Sequence, residues 1–318
     1  MPNRRRRRAT LPSAIVAWAA LAGAALLAAG CTSSSAAGQP GADGKIIAVG
    51  AENEYADVIA QVGGKYVQAS AIMSNPNTDP HTFEASASTG RLVNAARLVV
   101  QNGLGYDTFM DTIEKAVPDS ERRVIVVQKL LGLPDSAPNP HLWYDPATMP
   151  KVADAIAANL AAIQPSHAAY FKANAKAFTN SLSAWINAIG TFKQHYPGTP
   201  VATTEPVADY LLQALGADNK TPWAFQADVM NGTDPSAQDV AIERSLFTHH
   251  KVTVFLYNQQ VTDSLTESFI ALARANHIPV VGVYETMPEP GYRYQSWMLA
   301  EVRALRAAVT DHVSSEHL

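Results

Sequence analysis

Residues 166–196, SHAAYFKANAKAFTNSLSAWINAIGTFKQHY, decide how the rest of the chain is read. Phe171, Ala175, Phe178, Leu182, Trp185, Ile189 and Phe192 step by four and three, which draws one apolar stripe along a helix. Pro165 breaks the helical pattern before it, Ser166 is a plausible N-cap, and Pro197-Gly198 ends it. A helix of about 28 residues is on the order of 40 Å long, enough to run the length of a two-lobed protein. The stripe reads as core, since apolar residues at helical spacing serve packing first.

On either side of this helix, short β-branched runs alternate with helical stretches. On the N-terminal side, strands are expected at Lys45–Gly50, Val67–Ile72, Leu98–Gln101 and Val124–Val127. Helices are expected at Tyr55–Val62, Ala87–Ala95 and Asp107–Lys115, the first halted by Gly63-Gly64. After Tyr196 the alternation restarts, with strands at Pro200–Thr204, Thr253–Leu256 and Val280–Tyr284. Helices are expected there near Val207–Leu215, Gln238–His249 and Thr262–Ala275. The expected class is therefore α/β, with two lobes joined by a long rigid α-helix and a mostly parallel sheet with flanking helices in each. The 318 residues divide into a leader (1–30), a tether (31–44), an N-terminal lobe (45–165), the linking helix (166–196) and a C-terminal lobe (197–318).

The leader has its own logic. Arg4 to Arg8 form an unbroken basic run, an alanine-rich apolar stretch spans Leu11 to Ala29, and small residues lead to Cys31. These are the parts of a secretory signal. Small residues ahead of a cysteine resemble the bacterial lipobox, although Ala28 stands where leucine is usual. That resemblance implies a lipidated Cys31 as the mature N-terminus. The alternative is an uncleaved membrane-spanning anchor, because the stretch approaches the roughly 20 residues needed to cross a bilayer. The sequence from Thr32 to Gly44, TSSSAAGQPGADG, is a flexible tether. Loss of the leader removes five arginines and no acids, leaving 19 basic against 28 acidic residues, a net −9 in place of −4. There is no basic surplus for nucleic acid, and the lone cysteine excludes an internal disulfide and a Cys-rich zinc module.

Four residues fall where an open α/β sheet binds ligands, beyond the carboxyl ends of strands. His81 lies in Asp79-Pro80-His81-Thr82-Phe83-Glu84 after the second expected strand, and His141 lies in Pro140-His141-Leu142-Trp143-Tyr144-Asp145-Pro146 after the fourth. Glu205 and Glu285 directly follow the strands Pro200–Thr204 and Val280–Tyr284. Two come from each half, so a cleft between lobes would bring them together. Alone, each has a plain reading as a turn histidine, a helix-start carboxylate or a strand-end charge. His249 and His250 read as a solvated helix end.

Together with Ala51-Glu52-Asn53, Thr204-Glu205, Tyr257-Asn258-Gln259-Gln260 and Glu285-Thr286-Met287-Pro288, these motifs resemble the metal-binding solute receptors of ABC importers. The likeness is to the zinc/manganese-type cluster whose two lobes are joined by one helix, and it covers nearly the whole chain after Lys45. It implies His81, His141, Glu205 and Glu285 as metal ligands. Glu285 is one methylene longer than the aspartate usual at the fourth position. Imidazole nitrogen and carboxylate oxygen suit borderline or hard divalent ions, and two carboxylates neutralise a dication. Glu84 and Asp145 are candidate partners for the second nitrogen of the histidine rings.

The resemblance implies a receptor outside the cytoplasmic membrane, held there through Cys31. It would bind Mn2+ or Zn2+, with Fe(II) also compatible, and deliver the ion to a permease driven by a cytoplasmic ATPase. Neither an enzyme, a nucleic-acid partner nor an oligomer is expected. A surface adhesin role is an alternative use of the same fold. A metallohydrolase is the weaker one, since no HExxH, G-x-S-x-G or P-loop pattern is present. No histidine-rich insertion separates His81 from His141, which with Glu205 tilts the expectation toward manganese.

Overall fold

The computed structural model describes residues 44–75, 83–84, 86–288 and 291–318. The leader, Cys31, the tether through Asp43 and His81 lie outside the described residues. No helix among the described residues is long and apolar enough to cross a membrane.

The first half runs β1 (Ile46–Glu52), α1 (Asn53–Gly63), β2 (Val67–Met73), α2 (Ala87–Ala95), β3 (Leu98–Gln101), α3 (Thr108–Ala116), β4 (Arg123–Val126) and α4 (Val127–Leu131). The central helices follow as α5 (Thr148–Ile163), α6 (Ala168–Ser181) and α7 (Ser183–His195). The second half runs β5 (Pro200–Thr203), α8 (Asp209–Leu215), β6 (Asp218–Asn219), α9 (Trp223–Met230), α10 (Ala237–Thr248), β7 (Val254–Asn258), α11 (Ser264–Ala275), β8 (Val280–Val283) and α12 (Tyr294–Asp311). The two four-stranded sheets have orders β2-β1-β3-β4 and β6-β5-β7-β8, and every pairing is parallel. The inner strands β1, β3, β5 and β7 are buried along almost their whole length, as their mainly apolar runs require.

The two sheets repeat one topology, so each has its switch point at the same place. In the first it lies between β1 and β3, and in the second between β5 and β7. Crevices form at the carboxyl ends of such strand pairs. Glu52 ends β1 there, and Glu205 and Asn258 stand at the ends of β5 and β7.

α1 stops where expected. Gly64 takes φ 52°, and its N–H returns to the Ala60 carbonyl. The helix expected over residues 166–196 is divided into α6 and α7 at Leu182. Its apolar stripe is buried throughout, from Phe171 to Phe192. The division has a local cause in Thr179-Asn180-Ser181-Leu182-Ser183. The Ser181 hydroxyl donates to the Phe178 carbonyl (2.6 Å), and Leu182 N–H reaches only three residues back, to Thr179 (3.2 Å). Helical bonding resumes at once, with Ile186 N–H on the Leu182 carbonyl (3.0 Å).

One hydrophobic core runs from the first sheet through α5, α6 and α7 into β5, α8 and α12, and a second, smaller core fills the outer side of the second sheet. α12 closes the structure against α7 and α1 through Tyr294, Trp297, Met298 and Leu305. The tail after α12 lies along the β8 edge. Gly282 N–H donates to the Ser315 carbonyl (2.9 Å), and Ser315 N–H donates to the Val280 carbonyl (2.9 Å).

Candidate metal centre

His141 sits in the loop after α4, just before a single 3-10 turn over Leu142–Tyr144. Pro138 and Pro140 hold this loop extended by fixing φ and restricting the residue before each. Asn139 sets the ring. Its Oδ1 accepts from His141 N–H (3.0 Å) and lies 2.8 Å from His141 Nδ1, while its Nδ2 donates to the Pro206 carbonyl (2.8 Å). The backbone donor and the carbonyl acceptor fix which end of the amide is oxygen. Nδ1 therefore carries the ring hydrogen, and Nε2 presents its lone pair. That Nε2 lies 3.4 Å from Glu285 Oε2.

Glu285 is positioned from both halves. Its N–H donates to Gln260 Oε1 (2.6 Å), which also accepts from Thr286 N–H (2.8 Å). The Tyr106 hydroxyl, from the loop before α3, donates to Glu285 Oε2 (2.9 Å). Asn258 Nδ2 donates to Glu285 Oε1 (2.5 Å) and to Glu205 Oε1 (3.2 Å), so one amide spans the two carboxylates. Asn258 is held in turn, with its N–H on Thr204 Oγ1 (3.1 Å) and its Oδ1 accepting from Gln260 N–H (3.0 Å). His141, Glu205, Glu285 and Asn258 are all buried.

The structure thus brings His141 and Glu285 into direct apposition and joins Glu205 to Glu285 through Asn258. His81 lies outside the described residues. Among the described residues, no three His, Cys, Asp or Glu side chains stand as a ready metal-holding set. Asp145 does not serve the imidazole as expected. Its Oδ1 accepts from Ala147 N–H (2.9 Å) in a local turn, and Asn139 takes the place beside His141 Nδ1. Glu84 is exposed.

Further acids line the first half of this region. Glu52 and Glu54 are fully buried, and neither carboxyl has a hydrogen-bond partner beyond its own backbone N–H among the described residues. Burial pushes the Glu52 carboxyl well above the usual range, with the neighbouring Asp107 and Glu54 charges adding to the effect. Burial does the same for Glu54, and Glu285 and Asp107 reinforce it. Asn53 ties this corner to the loop after Glu285. Its amide donates to the Met287 carbonyl (2.8 Å) and accepts from Met287 N–H (2.8 Å). Rings wall the centre, with Trp143 edge-on to His141 at 5.5 Å and Tyr106 at 5.9 Å.

Sequence reasoning located the strand-end glutamates and the loop histidine but assigned no role to Asn139, Asn258 or Tyr106. The first two carried a signal. Asn139 stands two residues before His141, and Asn258 ends the strand beside that of Glu205. The chemistry of the site is Lewis-basic, with an imidazole nitrogen and carboxylate oxygens brought together among buried side chains.

Comparison with known proteins identifies the family. Residues 49–308 match the family described as ZnuA, zinc-uptake complex component A, periplasmic. The manganese-binding lipoprotein MntA of Bacillus subtilis is 26% identical over 159 residues, covering 48% of this chain and about half (51%) of its own length. The zinc-binding protein TroA of Treponema pallidum is 22% identical over 249 residues, covering 76% of this chain and 79% of its own. The solved structure of TroA superposes with a TM-score of 0.72 at 19% identity, covering 84% of this chain and 99% of that one. A manganese-bound periplasmic metal-binding protein from Candidatus Liberibacter asiaticus superposes with a TM-score of 0.69 at 16% identity, covering 83% and 100%. These likenesses carry the two-sheet α/β fold. With more than half of its length matched, the chain belongs to the ZnuA family of periplasmic metal-uptake components, whose members are solute-binding receptors and not enzymes.

Proposed function

We propose that this protein is the extracytoplasmic receptor of an ABC importer. It captures a divalent transition-metal ion between its two halves and hands it to a membrane permease powered by a cytoplasmic ATPase. The observation that carries this reading is the buried approach of His141 Nε2 to Glu285 Oε2, with Glu205 joined to Glu285 through Asn258. His141, Glu205 and Glu285 supply three ligands and His81 the fourth. The ion is Mn2+ or Zn2+, with Fe(II) able to use the same donors, since nitrogen and oxygen ligands accept all three. The two carboxylates and the absence of a histidine-rich insertion favour manganese. The receptor works as a monomer on a flexible tether, fixed to the outer face of the membrane by lipid on Cys31.

Competitive titration of Mn2+, Zn2+ and Fe(II) against metal-stripped protein tests the reading, with elemental analysis of the product. One tightly held ion per chain is expected, with binding lost in the His81→Ala/His141→Ala variant. Equal affinity in that variant would place the ion elsewhere. Mass spectrometry of the native N-terminus reads Cys31 directly, and an unmodified thiol would rule out the lipid anchor.

A further inference from the structure

A groove of about 430 Å³ opens at the carboxyl ends of β3 and β4. It is lined by Gln101, which ends β3, by Asp107, Asp111 and Glu114 along α3, and by Lys129 and Asp135 from α4 and the turn after it. Asp107, Asp111 and Glu114 recur at intervals of four and three and share one face of α3. Asp107 is the N-cap and Asp111 lies in the first turn, where carboxylates suit the helix dipole, so Glu114 near the other end is the charge that the helix itself does not favour. Four carboxylates and the Lys129 ammonium line the groove, and the Arg122 charge acts on Glu114 from beside it, so acid remains in excess.

A second observation points to a ligand. Gln101 is only 5% exposed, yet its Oε1 accepts no hydrogen bond among the described residues, and the buried Glu114 Oε1 accepts none either. Buried acceptors without donors are costly. Asp107 is partly served, by the N–H groups of Asn102 (2.5 Å) and Gly103 (2.9 Å). Asp135 is served as well, by Gln128 Nε2 (2.7 Å), so the acceptors left without a donor are Gln101 Oε1 and Glu114 Oε1. Since no three acids or imidazoles form a coordination cage among the described residues, a cation here keeps its water shell. A hydrated dication presents only O–H donors outward and matches what the walls offer.

The groove is also placed to pass an ion on. It shares Leu104 and Gly105 with a neighbouring cavity of about 350 Å³, which is walled by Tyr106 and Pro140 from the first half and by Trp223 and Met230 from the second. Tyr106 is the residue whose hydroxyl holds Glu285.

We propose that the acidic groove along α3 is an outer-sphere collecting site, which holds a hydrated divalent cation beside the mouth of the buried centre before the ion sheds its water. The proposal rests on the metal-capture reading above. Its effect is on the rate of loading, because a field of one sign beside a cleft raises the local concentration of oppositely charged ligand.

The probe is cobalt(III) hexaammine, whose inert ammines act only as donors and cannot be replaced by His141 or Glu285. The intact metal-free protein is expected to bind it saturably, with displacement by Mg2+ and a shift of the Gln101 side-chain amide signals in NMR. Asp111→Asn/Glu114→Gln is expected to weaken that binding at least tenfold while leaving the melting profile folded. In stopped flow at low salt, the same variant should load Mn2+ about 3–10-fold more slowly, with stoichiometry unchanged and the difference erased at high ionic strength. Absent or non-saturable hexaammine binding, equal binding by the variant, or unchanged loading rates would each overturn the collecting site. A protein that binds hexaammine at the groove but no Mn2+ or Zn2+ at the centre would instead overturn the metal-capture reading.

Discussion

His141 Nε2 stands 3.4 Å from Glu285 Oε2, and neither side chain is exposed to solvent. The first comes from the loop after α4 and the second from the end of β8, so the two halves meet at a lone pair and a carboxylate. Such a pair is stable only with positive charge between its members, supplied by a proton or a metal. His141→Ala is expected to weaken metal binding by about 100-fold or more, beyond the range for residues that touch only a ligand. Competition against a chelator of known affinity measures this, and wild-type affinity in the variant would remove His141 from the centre.

Asn139 fixes the tautomer and angle of that imidazole. Asn139→Ala is expected to lower metal affinity by roughly 10–100-fold through the ring it orients, as for other outer-shell partners of metal-bound histidine. The same titration measures it, with circular dichroism showing that the fold is kept.

Asn53 uses both ends of its amide on the Met287 peptide, in a buried position. Asn53→Ala leaves a backbone N–H and a C=O without their partners, and each such group costs about 1–3 kcal/mol. A loss of about 2–5 kcal/mol in stability is expected from urea unfolding. A loss well under 1 kcal/mol would mean that water replaces the amide.

Glu243 on α10 is fully buried, with Thr221 Oγ1 donating to its Oε1 (3.2 Å), and burial raises its carboxyl to about 8. In the unfolded chain a glutamate titrates near about 4.3. The folded state therefore binds the proton more tightly. Its contribution is full below about pH 4.3, falls as pH rises, and is lost above about pH 8. Glu243→Gln should match the wild type near pH 4.5 and exceed it by roughly 2–5 kcal/mol at pH 8.5. Melting temperatures across this range check the slope, and parallel curves for the two proteins would show that Glu243 is ionised when folded.

Much of the fold was legible because its strands are short, β-branched and bounded by turns. Leu98–Gln101 and Ala87–Ala95 fall where periodicity put them, and the other expected strands shift by only a residue or two at their ends. β6 was not legible, since Asp218–Asn219 is two polar residues long and pairs only through the backbone of Pro200 and Val201. α9 was missed as well, a short helix opening directly after Pro222. The break at Leu182 escaped because a stripe of side chains does not show where a serine hydroxyl competes for a carbonyl. In the centre, donor chemistry and strand ends were readable. The sharing of Asn258 by two glutamates, and the full burial of the Glu52 and Glu54 carboxyls, depend on three-dimensional neighbours that spacing does not encode.

The tail beyond α12 has a consequence for handling the protein. Ser315 occupies the backbone donors and acceptors along β8 that an edge strand otherwise leaves bare, and Arg274 secures the segment through Glu316 (2.7 Å). A bare edge is a template for another chain. Trimming the last seven residues, or fusing a bulky tag that pulls them away, would uncover a flat parallel edge of four apolar residues, Val280 to Val283, and invite self-association. A purification tag is better placed within the tether, after Cys31 and ahead of β1.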